Sequence, residues 1–389
     1  MYSGKLVFAQ VMDHLPLHTL HRCVERYHGD QRVRSFSCLD QFLCMAFAQI
    51  TGRRSLRDLV ICLRAQRSKL YHMGIRGGIA RTTLADANEV RDWRIWQDFA
   101  QALIRIARPL YCDEDLGLEL DNTVYALDSS TIDLSLNAFP WARFRSTKGA
   151  VKIHTLMDLQ GSIPTFIRIS DGKLHDVKVL DELPPEPGAI YVMDRAYIDF
   201  RRLMRLQAAG AFFVVRAKSN LLWRRRYSHP VDKQLDLRCD QTIVLSGPQT
   251  VAKYPQPLRR VGYRDSDQQR TFHFLTNNFE VPARTVADLY RHRWRVELLF
   301  RWLKQHLRIQ RFLGTSENAV KTQIWIAVSV YVLIAILKKR LEVPDDLYTI
   351  LRVLDVTPFT QVPLMQLLAE QRGIPLERPE ASQLCLFET

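Results

Sequence analysis

The stretch Tyr290–Lys304, YRHRWRVELLFRWLK, places one carboxylate, Glu297, among basic side chains on a segment with helical periodicity. At about 100° per residue, Tyr290, Arg293, Glu297 and Lys304 fall within roughly 60° of one another on a helix. A second, apolar stripe about 90° away predicts packing on a core, and it comprises Leu289, Val296, Phe300, Leu303 and Leu307. The segment therefore predicts an amphipathic helix whose polar face handles phosphate, although a solvated charged face gives the same pattern.

Two aspartates lie upstream, each after a stretch that predicts a buried strand. Asp128 follows alternating apolar residues in NTVYALDSSTIDL, and Asp194 ends a short apolar run in AIYVMDRAYIDF. Strand ends are where sites form, so both patterns predict a carboxylate delivered near the end of a strand. Aspartate is also common in turns and caps at strand ends. Together with Glu297, the two aspartates indicate a site with three carboxylates.

The combination resembles a known family of enzymes. Tyr290, Arg293, Glu297 and Lys304 are separated by two, three and six residues, which is similar to the Tyr-Arg-Glu-Lys signature of the IS-four family of bacterial DDE transposases. The resemblance covers most of the chain, through the segments Trp141–Pro164, Gly210–Asn220 and Phe312–Trp325.

The resemblance implies an α/β fold with an RNase H-like catalytic core interrupted by a β-rich insertion. Strand-like stretches at 122–134, 149–158 and 162–170 precede a helix-like HDVKVLDEL, the strand before Asp194, a helix from about 199 and a strand GAFFVVRA. This α/β alternation agrees with such a core. The predicted division is a helical N-terminal DNA-binding domain at 1–118, catalytic core at 119–220 and 285–340, β-rich insertion at 221–284, and a helical C-terminal tail at 341–389.

The flanking regions predict helices. Ser55 with Asp58 and Thr83 with Asp86 match capping boxes, the second before a periodic stretch to Leu110. The apolar run Ile324–Leu337 is shorter than the roughly 18–20 residues that span a bilayer, so a buried core helix is predicted. The tail contains a helix-like LMQLLAEQ and an apolar LCLF. The N-terminal helices are interpreted either as the reader of terminal inverted repeats or as a scaffold.

The chemistry of the family gives each polar residue an expected role. Carboxylates are hard oxygen ligands suited to Mg²⁺, and two ions, Mg²⁺ or in its place Mn²⁺, can activate an attacking oxygen and stabilise a leaving oxygen. The resemblance implies that both ions are held by Asp128, Asp194 and Glu297, which form the catalytic triad. The residues predicted to bind DNA are Tyr290, Arg293, Lys304, Trp294 and Arg195. The aromatic residue that stacks on a flipped base in this family is either Trp223 or a residue that the sequence does not identify.

Composition favours a polyanionic partner. The formal net charge is +14 and the sequence pI is about 9.6, and basic proteins bind duplex DNA through phosphate neutralisation. Seven dispersed cysteines without a CxxC pair indicate a reducing cytoplasm rather than a disulfide framework. His14, His18, His21 and Cys23 lack the second half of a zinc site. We predict a cytoplasmic, nucleoid-associated protein without a membrane partner.

Cut-and-paste transposition is the predicted function, with double-stranded DNA as terminal inverted repeats and as target. Work on two ends implies a homodimer or a higher synaptic complex. Two alternatives stay open from the sequence. One is a metal-dependent, structure-selective nuclease that joins nothing, and the other is a catalytically silent DNA-binding protein.

Overall fold

A mixed α/β architecture is seen in the computed structural model, which describes residues 4–76, 79–266, 269–306 and 312–371. The helices are α1 Val7–Met12, α2 Leu17–Arg26, α3 Cys38–Ile50, α4 Leu56–Ala65, α5 Arg81–Val90, α6 Arg94–Leu110, α7 Phe200–Ala208, α8 Pro248–Lys253, α9 Ala283–His292, α10 Trp294–Arg301, α11 Glu317–Arg340, α12 Leu347–Val356 and α13 Leu364–Gln371. The strands are β1 Val124–Leu134, β2 Gly149–Asp158, β3 Ile163–Asp171, β4 Ile190–Met193, β5 Phe212–Arg216, β6 Trp223–His229, β7 Leu237–Leu245, β8 Leu258–Asp265 and β9 Arg270–Thr276.

The nine strands form one sheet in the order β3-β2-β1-β4-β5-β9-β8-β7-β6. The pairs β3–β2 and β2–β1 are antiparallel, whereas β4 runs parallel to both β1 and β5. From β5 onward, β9, β8, β7 and β6 pair antiparallel. The interior strand β4, IYVM, is buried throughout, as expected of a short parallel strand that is covered on both faces.

The buried hydrophobic residues form two clusters, and helix α11 lies in the larger one. Of the helices in the described residues, it alone is long and apolar enough to cross a membrane by length and composition, and 94% of its most apolar window is buried inside the protein. Every residue from Ile324 to Leu337 is buried, which confirms the prediction of a core helix. Hydrogen bonds also join α11 to the N-terminal helical region. The Tyr111 hydroxyl donates to the Ala335 carbonyl at 2.9 Å, and Asn318 Nδ2 donates to the Asn88 carbonyl at 2.9 Å.

The C-terminal helices pack against the beginning of the chain. The Val7 amide donates to the Thr360 carbonyl at 2.9 Å, and Gln10 Nε2 donates to the Val362 carbonyl at 2.8 Å. LMQLLAEQ is helical, as predicted, while α12 was not foreseen and LCLF lies outside the described residues. The first and last described segments therefore share one hydrophobic core.

Three local predictions of helices or helix caps are wrong. HDVKVLDEL forms a 3₁₀ helix, Asp176–Asp181, instead of an α-helix, and the proline that follows disfavours helical backbone at Leu183. Thr83 lies inside α5 rather than capping it, whereas the predicted cap at Ser55 accepts from the Asp58 amide. The periodic stretch to Leu110 is two helices, because the Asp92 carboxylate accepts the Arg94 amide at 2.9 Å and so competes with helix continuation.

A buried ion pair ties the sheet to the segment that leads into α9. Arg259 Nε and Nη2 donate to the two Asp240 carboxylate oxygens at 2.9 and 2.8 Å, and Arg259 Nη1 donates to the Val281 carbonyl at 2.6 Å. Less than a tenth of either side chain is exposed. The pair therefore connects β7 and β8 with the start of the helix that carries Tyr290.

We expect Asp240→Ala to lower the free energy of unfolding by about 3–5 kcal/mol, because it leaves the buried Arg259 guanidinium without its carboxylate. Urea unfolding followed by circular dichroism measures this change. The control is Asp13→Ala, which breaks an exposed ion pair with Lys5 and should cost less than about 1 kcal/mol. Equal decreases in the free energy of unfolding for the two variants would show that the buried pair stabilises the protein no more than an exposed one.

Candidate active site

One cavity of about 740 Å³ collects most of the residues that the sequence singles out. The predicted residues that line it are Asp128, Asp194, Tyr290, Arg293, Trp294, Glu297 and Lys304. Residues from β1, the loop after β4, α9, α10 and the turn after α10 therefore converge on a single space.

Parallel pairing of β1 with β4 sets the two aspartates side by side. The paired residues run from Val124 and Ile190 to Leu127 and Met193, so Asp128 and Asp194 each follow the last pair of the ladder. The prediction that Asp128 lies near the end of its strand is wrong, because β1 continues to Leu134 through pairing with β2 alone. What ends at Asp128 is the pairing with β4, and this opens the space that the carboxylate faces.

The Tyr290–Lys304 segment is helical but not one continuous helix. Arg293 joins α9 to α10, and Lys304 lies in a π-helical turn, Trp302–His306. The predicted apolar stripe is confirmed for Leu289, Val296, Phe300 and Leu303, which are all buried, while Leu307 lies outside the described residues. Burial of this stripe leaves the polar face of the segment, with Tyr290, Arg293, Glu297 and Lys304, on the cavity.

Two donors from this segment bind the three carboxylates. Arg293 Nη1 donates to Asp128 Oδ2 at 2.5 Å, and Arg293 Nη2 donates to Glu297 Oε1 at 2.7 Å. The Tyr290 hydroxyl donates to Asp194 Oδ1 at 3.0 Å. Arg293 thus bridges a strand carboxylate and a helix carboxylate, and Tyr290 holds the third.

Burial shapes the electrostatics of the cavity. Desolvation raises the pKa of Asp128 to about 6, against the opposing effects of the Arg293 guanidinium and the Ser129 amide. Desolvation likewise raises the pKa of Tyr290 to about 12, so the phenol stays protonated and donates. Burial lowers the pKa of Arg293, but the neighbouring Asp128, Tyr290 and Glu297 outweigh that effect and raise it overall. The arginine is therefore a permanent cation between two carboxylates.

The remaining predicted residues occupy different positions. Lys304 Nζ donates to the Thr131 carbonyl at 2.7 Å, and burial lowers its pKa. Trp294 is 49% exposed, with the Arg301 guanidinium 5.7 Å from its ring centre. Arg195 is exposed and lines a neighbouring cavity of about 350 Å³ together with Trp223.

Two residues outside the predicted site residues connect the two cavities. Arg216 and Phe272 line both, and the Arg216 guanidinium lies 4.8 Å from the centre of the Phe272 ring. The sequence indicates Arg216 as a candidate, because a cation ends the apolar strand FFVVR. No local pattern indicates Phe272, because it belongs to β9, and the pairing of β9 with β5 cannot be predicted from either segment alone.

The donor chemistry of the cavity fits a hard divalent cation. Asp128, Asp194 and Glu297 offer carboxylate oxygens, the ligands that Mg²⁺ prefers, and all three face the same space. Across the part of the chain that the structure describes, no three His, Cys, Asp or Glu side chains are grouped closely enough to hold one metal ion. The Arg293 guanidinium stands between two of the carboxylates and supplies the positive charge there.

Comparison with known proteins identifies the family. The model described as "Transposase DDE domain" matches residues 119–333, more than half of the chain. The chain belongs to the DDE transposases. The matched region contains Asp128, Asp194 and Glu297. A second model, described as a domain of unknown function (DUF4372), matches residues 3–76.

Individual relatives of this DDE transposase carry related names. A Sinorhizobium fredii protein named as transposase y4zB is 32% identical over 303 residues, 76% of this chain and 80% of the relative. A Geobacillus stearothermophilus protein named as the transposase for insertion sequence element IS5377 is 32% identical over 56% of this chain and 57% of the relative. A piggyBac transposase in a synaptic complex with hairpin DNA matches at a TM-score of 0.45 and 12% identity, covering 96% of this chain and 84% of that one.

Proposed function

We propose that this enzyme carries out cut-and-paste transposition of an IS-four insertion sequence. The first step is a nick at each end of the element, after which the freed 3′-hydroxyl attacks the opposite strand to give a hairpin. Water reopens the hairpin, and the 3′ end joins target DNA. The observation that carries the proposal is the convergence of Asp128, Asp194 and Glu297 with Tyr290 and Arg293 on one cavity.

The sheet supports an RNase H-like catalytic core. Three antiparallel strands, β3, β2 and β1, continue into the parallel strands β4 and β5, with candidate carboxylates on β1 and directly after β4. The antiparallel strands β6 to β9 lie between this part and α9 in sequence, which supports the proposed β-rich insertion at 221–284. We retain the division into helical DNA-binding residues 1–118, core residues 119–220 and 285–340, and tail residues 341–389.

The proposed cofactor is a pair of Mg²⁺ ions, for which Mn²⁺ can substitute, held by Asp128, Asp194 and Glu297. When bound, the ions supply activation of the attacking oxygen and stabilisation of the leaving oxygen. Tyr290 orients Asp194 through its hydroxyl. Arg293 offers a planar fork that suits a phosphate of the scissile strand, and Lys304 adds a point charge at the cavity wall.

The proposed DNA path extends beyond the cleavage site. Arg195, Arg216 and Trp223 line the neighbouring cavity, which supports Trp223 as the aromatic residue beside a flipped base. The Arg260 guanidinium already lies 4.7 Å from the centre of the Trp223 ring, and such cation–aromatic contacts also accommodate nucleobases. Trp294, being exposed, is proposed to contact DNA near the scissile phosphate.

The helical N-terminal residues are proposed to recognise the terminal inverted repeats. Arg54, Arg57, Arg64 and Arg67 are exposed on and around α4, where they can neutralise phosphates. Two ends must be processed together, so we propose a homodimer or higher synaptic complex on double-stranded DNA. Its proposed location is the cytoplasm, associated with the nucleoid.

A strand-transfer assay separates this function from the structure-selective nuclease. Pre-cut duplexes ending in the 3′-hydroxyl of the element are incubated with Mg²⁺ and supercoiled plasmid. We expect the plasmid to become covalently joined to the labelled end. Plasmid nicking without any joined product would support the nuclease, and binding without either product would favour a silent DNA-binding protein.

A further inference from the structure

The position of Arg293 suggests a control on metal entry. Its two terminal nitrogens donate to Asp128 and Glu297 at 2.5 and 2.7 Å, and only 14% of the side chain is exposed. Its Nε is buried and has no hydrogen-bond partner in the described chain. The guanidinium is therefore held by two carboxylates, and its buried Nε–H donor is unused.

Three other cations that line the cavity have contacts elsewhere. The guanidinium groups of Arg216 and Arg301 lie over the rings of Phe272 and Trp294, and Lys304 Nζ donates to the Thr131 carbonyl. Among the contacts of the described residues, Arg293 is the cation that donates to both Asp128 and Glu297. It neutralises part of the repulsion that three neighbouring carboxylates would otherwise feel.

A metal ion and the Arg293 guanidinium would use the same oxygens of Asp128 and Glu297. A divalent ion such as Mg²⁺ binds carboxylate oxygens directly and requires a closely defined ligand geometry, whereas here Asp128 Oδ2 and Glu297 Oε1 already accept charge-assisted hydrogen bonds. A metal ion that takes these two oxygens as ligands therefore competes with the Arg293 guanidinium for them. The released guanidinium would then need a new anionic acceptor, and a DNA phosphate matches its planar fork best.

We propose that Arg293 acts as an internal latch, which occupies the carboxylate pair until a DNA phosphate takes over its guanidinium and so couples metal binding to substrate binding. This inference rests on the proposed function, since it assumes that Asp128 and Glu297 are metal ligands. Coupling of this kind is reciprocal, so whatever draws Arg293 away from the carboxylates tightens metal binding. The role goes beyond phosphate binding, because it already operates in the protein without DNA.

The test is the affinity of the full chain for Mn²⁺ in the absence of DNA, measured at pH 7.5 from the electron paramagnetic resonance signal of free Mn²⁺. Arg293→Ala is expected to bind Mn²⁺ at least about tenfold more tightly than the wild type, a change of about 1.4 kcal/mol. Arg293→Lys, which keeps the charge but loses the bidentate fork, is expected to fall between the two.

Two controls make the result specific. Arg301→Ala removes a positive charge from the same cavity and should change Mn²⁺ affinity by less than about threefold, because exposed charges are screened. Asp128→Asn should weaken Mn²⁺ binding in any background. Thermal unfolding by circular dichroism confirms that each variant is folded.

The outcomes are distinguishable. The latch is overturned if Arg293→Ala binds Mn²⁺ no more tightly than the wild type, or if Arg301→Ala tightens binding equally, since the effect would then be one of net charge. If Asp128→Asn leaves Mn²⁺ binding unchanged, the proposed metal site itself fails, and the inference fails with it.

Discussion

Replacing Asp128 with asparagine is expected to reduce Mg²⁺-dependent cleavage of the element's ends by about 10³-fold or more, equivalent to about 4 kcal/mol of transition-state stabilisation. The reason is loss of the carboxylate that lies where the β1–β4 ladder ends, facing both Asp194 and Glu297. Single-turnover cleavage of end-labelled duplex at saturating Mg²⁺ measures the change. Retention of more than a tenth of the wild-type rate would remove Asp128 from the active site.

The same substitution is expected to stabilise the protein. The Asp128 carboxyl has a pKa near 3.8 in the unfolded chain and about 6 in the folded one. The folded state therefore binds more protons between these values, and stability falls as pH rises from about 4 to about 6. Above pH 6 the ionised carboxylate lowers the free energy of unfolding by up to about 3 kcal/mol. We therefore expect Asp128→Asn to raise the free energy of unfolding by about 2 kcal/mol at pH 7.5.

Urea unfolding without metal at several pH values tests this prediction. The gain should shrink as pH drops from 6 toward 4, because the wild-type carboxyl then becomes neutral in the folded state too. Asp133→Asn is the matched control, since Asp133 lies on the same strand with 63% of its side chain exposed. A loss of stability in Asp128→Asn at pH 7.5 would mean that its bond with Arg293 outweighs the cost of burial.

The second large effect is expected at Arg293. Arg293→Ala should slow cleavage by about 10²-fold at saturating metal, a typical loss when one donor to a developing charge is removed. The rate should fall even though metal affinity rises, because the variant loses the fork that would bind the scissile phosphate. Single-turnover rates over a range of Mg²⁺ concentrations separate the two parameters.

Arg301→Ala provides the matched control for this experiment, because Arg301 lines the same cavity but lies over Trp294. Its cleavage rate should fall much less, mainly through weaker DNA binding that excess DNA restores. If Arg293→Ala cleaves as fast as the wild type at saturating Mg²⁺, the guanidinium has no part in catalysis.

The sequence predicted which side chains line the cavity better than it predicted where the strands and helices that carry them begin and end. Strand alternation and helical periodicity are local patterns, and with the family resemblance they predicted one site for Asp128, Asp194 and Glu297, which all line one cavity. The parallel pairing that aligns Asp128 with Asp194 is a contact between segments distant in sequence, so the strand end was misplaced. The break at Arg293 was missed because helical spacing tolerates a one-residue interruption between α9 and α10.

Contacts between distant segments account for the other omissions. Phe272 reaches the cavity only because β9 pairs with β5, and Arg195 lies beside Trp223 in a second cavity although it directly follows Asp194. The bridge from Arg293 to Asp128 spans 165 residues of sequence. The sequence indicated a phosphate ligand at Arg293, but not the carboxylates that hold it in the absence of DNA.

The most direct test of the proposed function is hairpin formation on the element's own ends. Purified protein is incubated with end-labelled duplex that spans the flanks of its gene, with Mg²⁺ or EDTA, beside a Glu297→Gln variant. We predict hairpin-ended fragments that require Mg²⁺ and are absent with the variant. Fragments that persist in EDTA or with Glu297→Gln, or tight binding without any cleavage, would contradict a metal-dependent transposase acting through these three carboxylates.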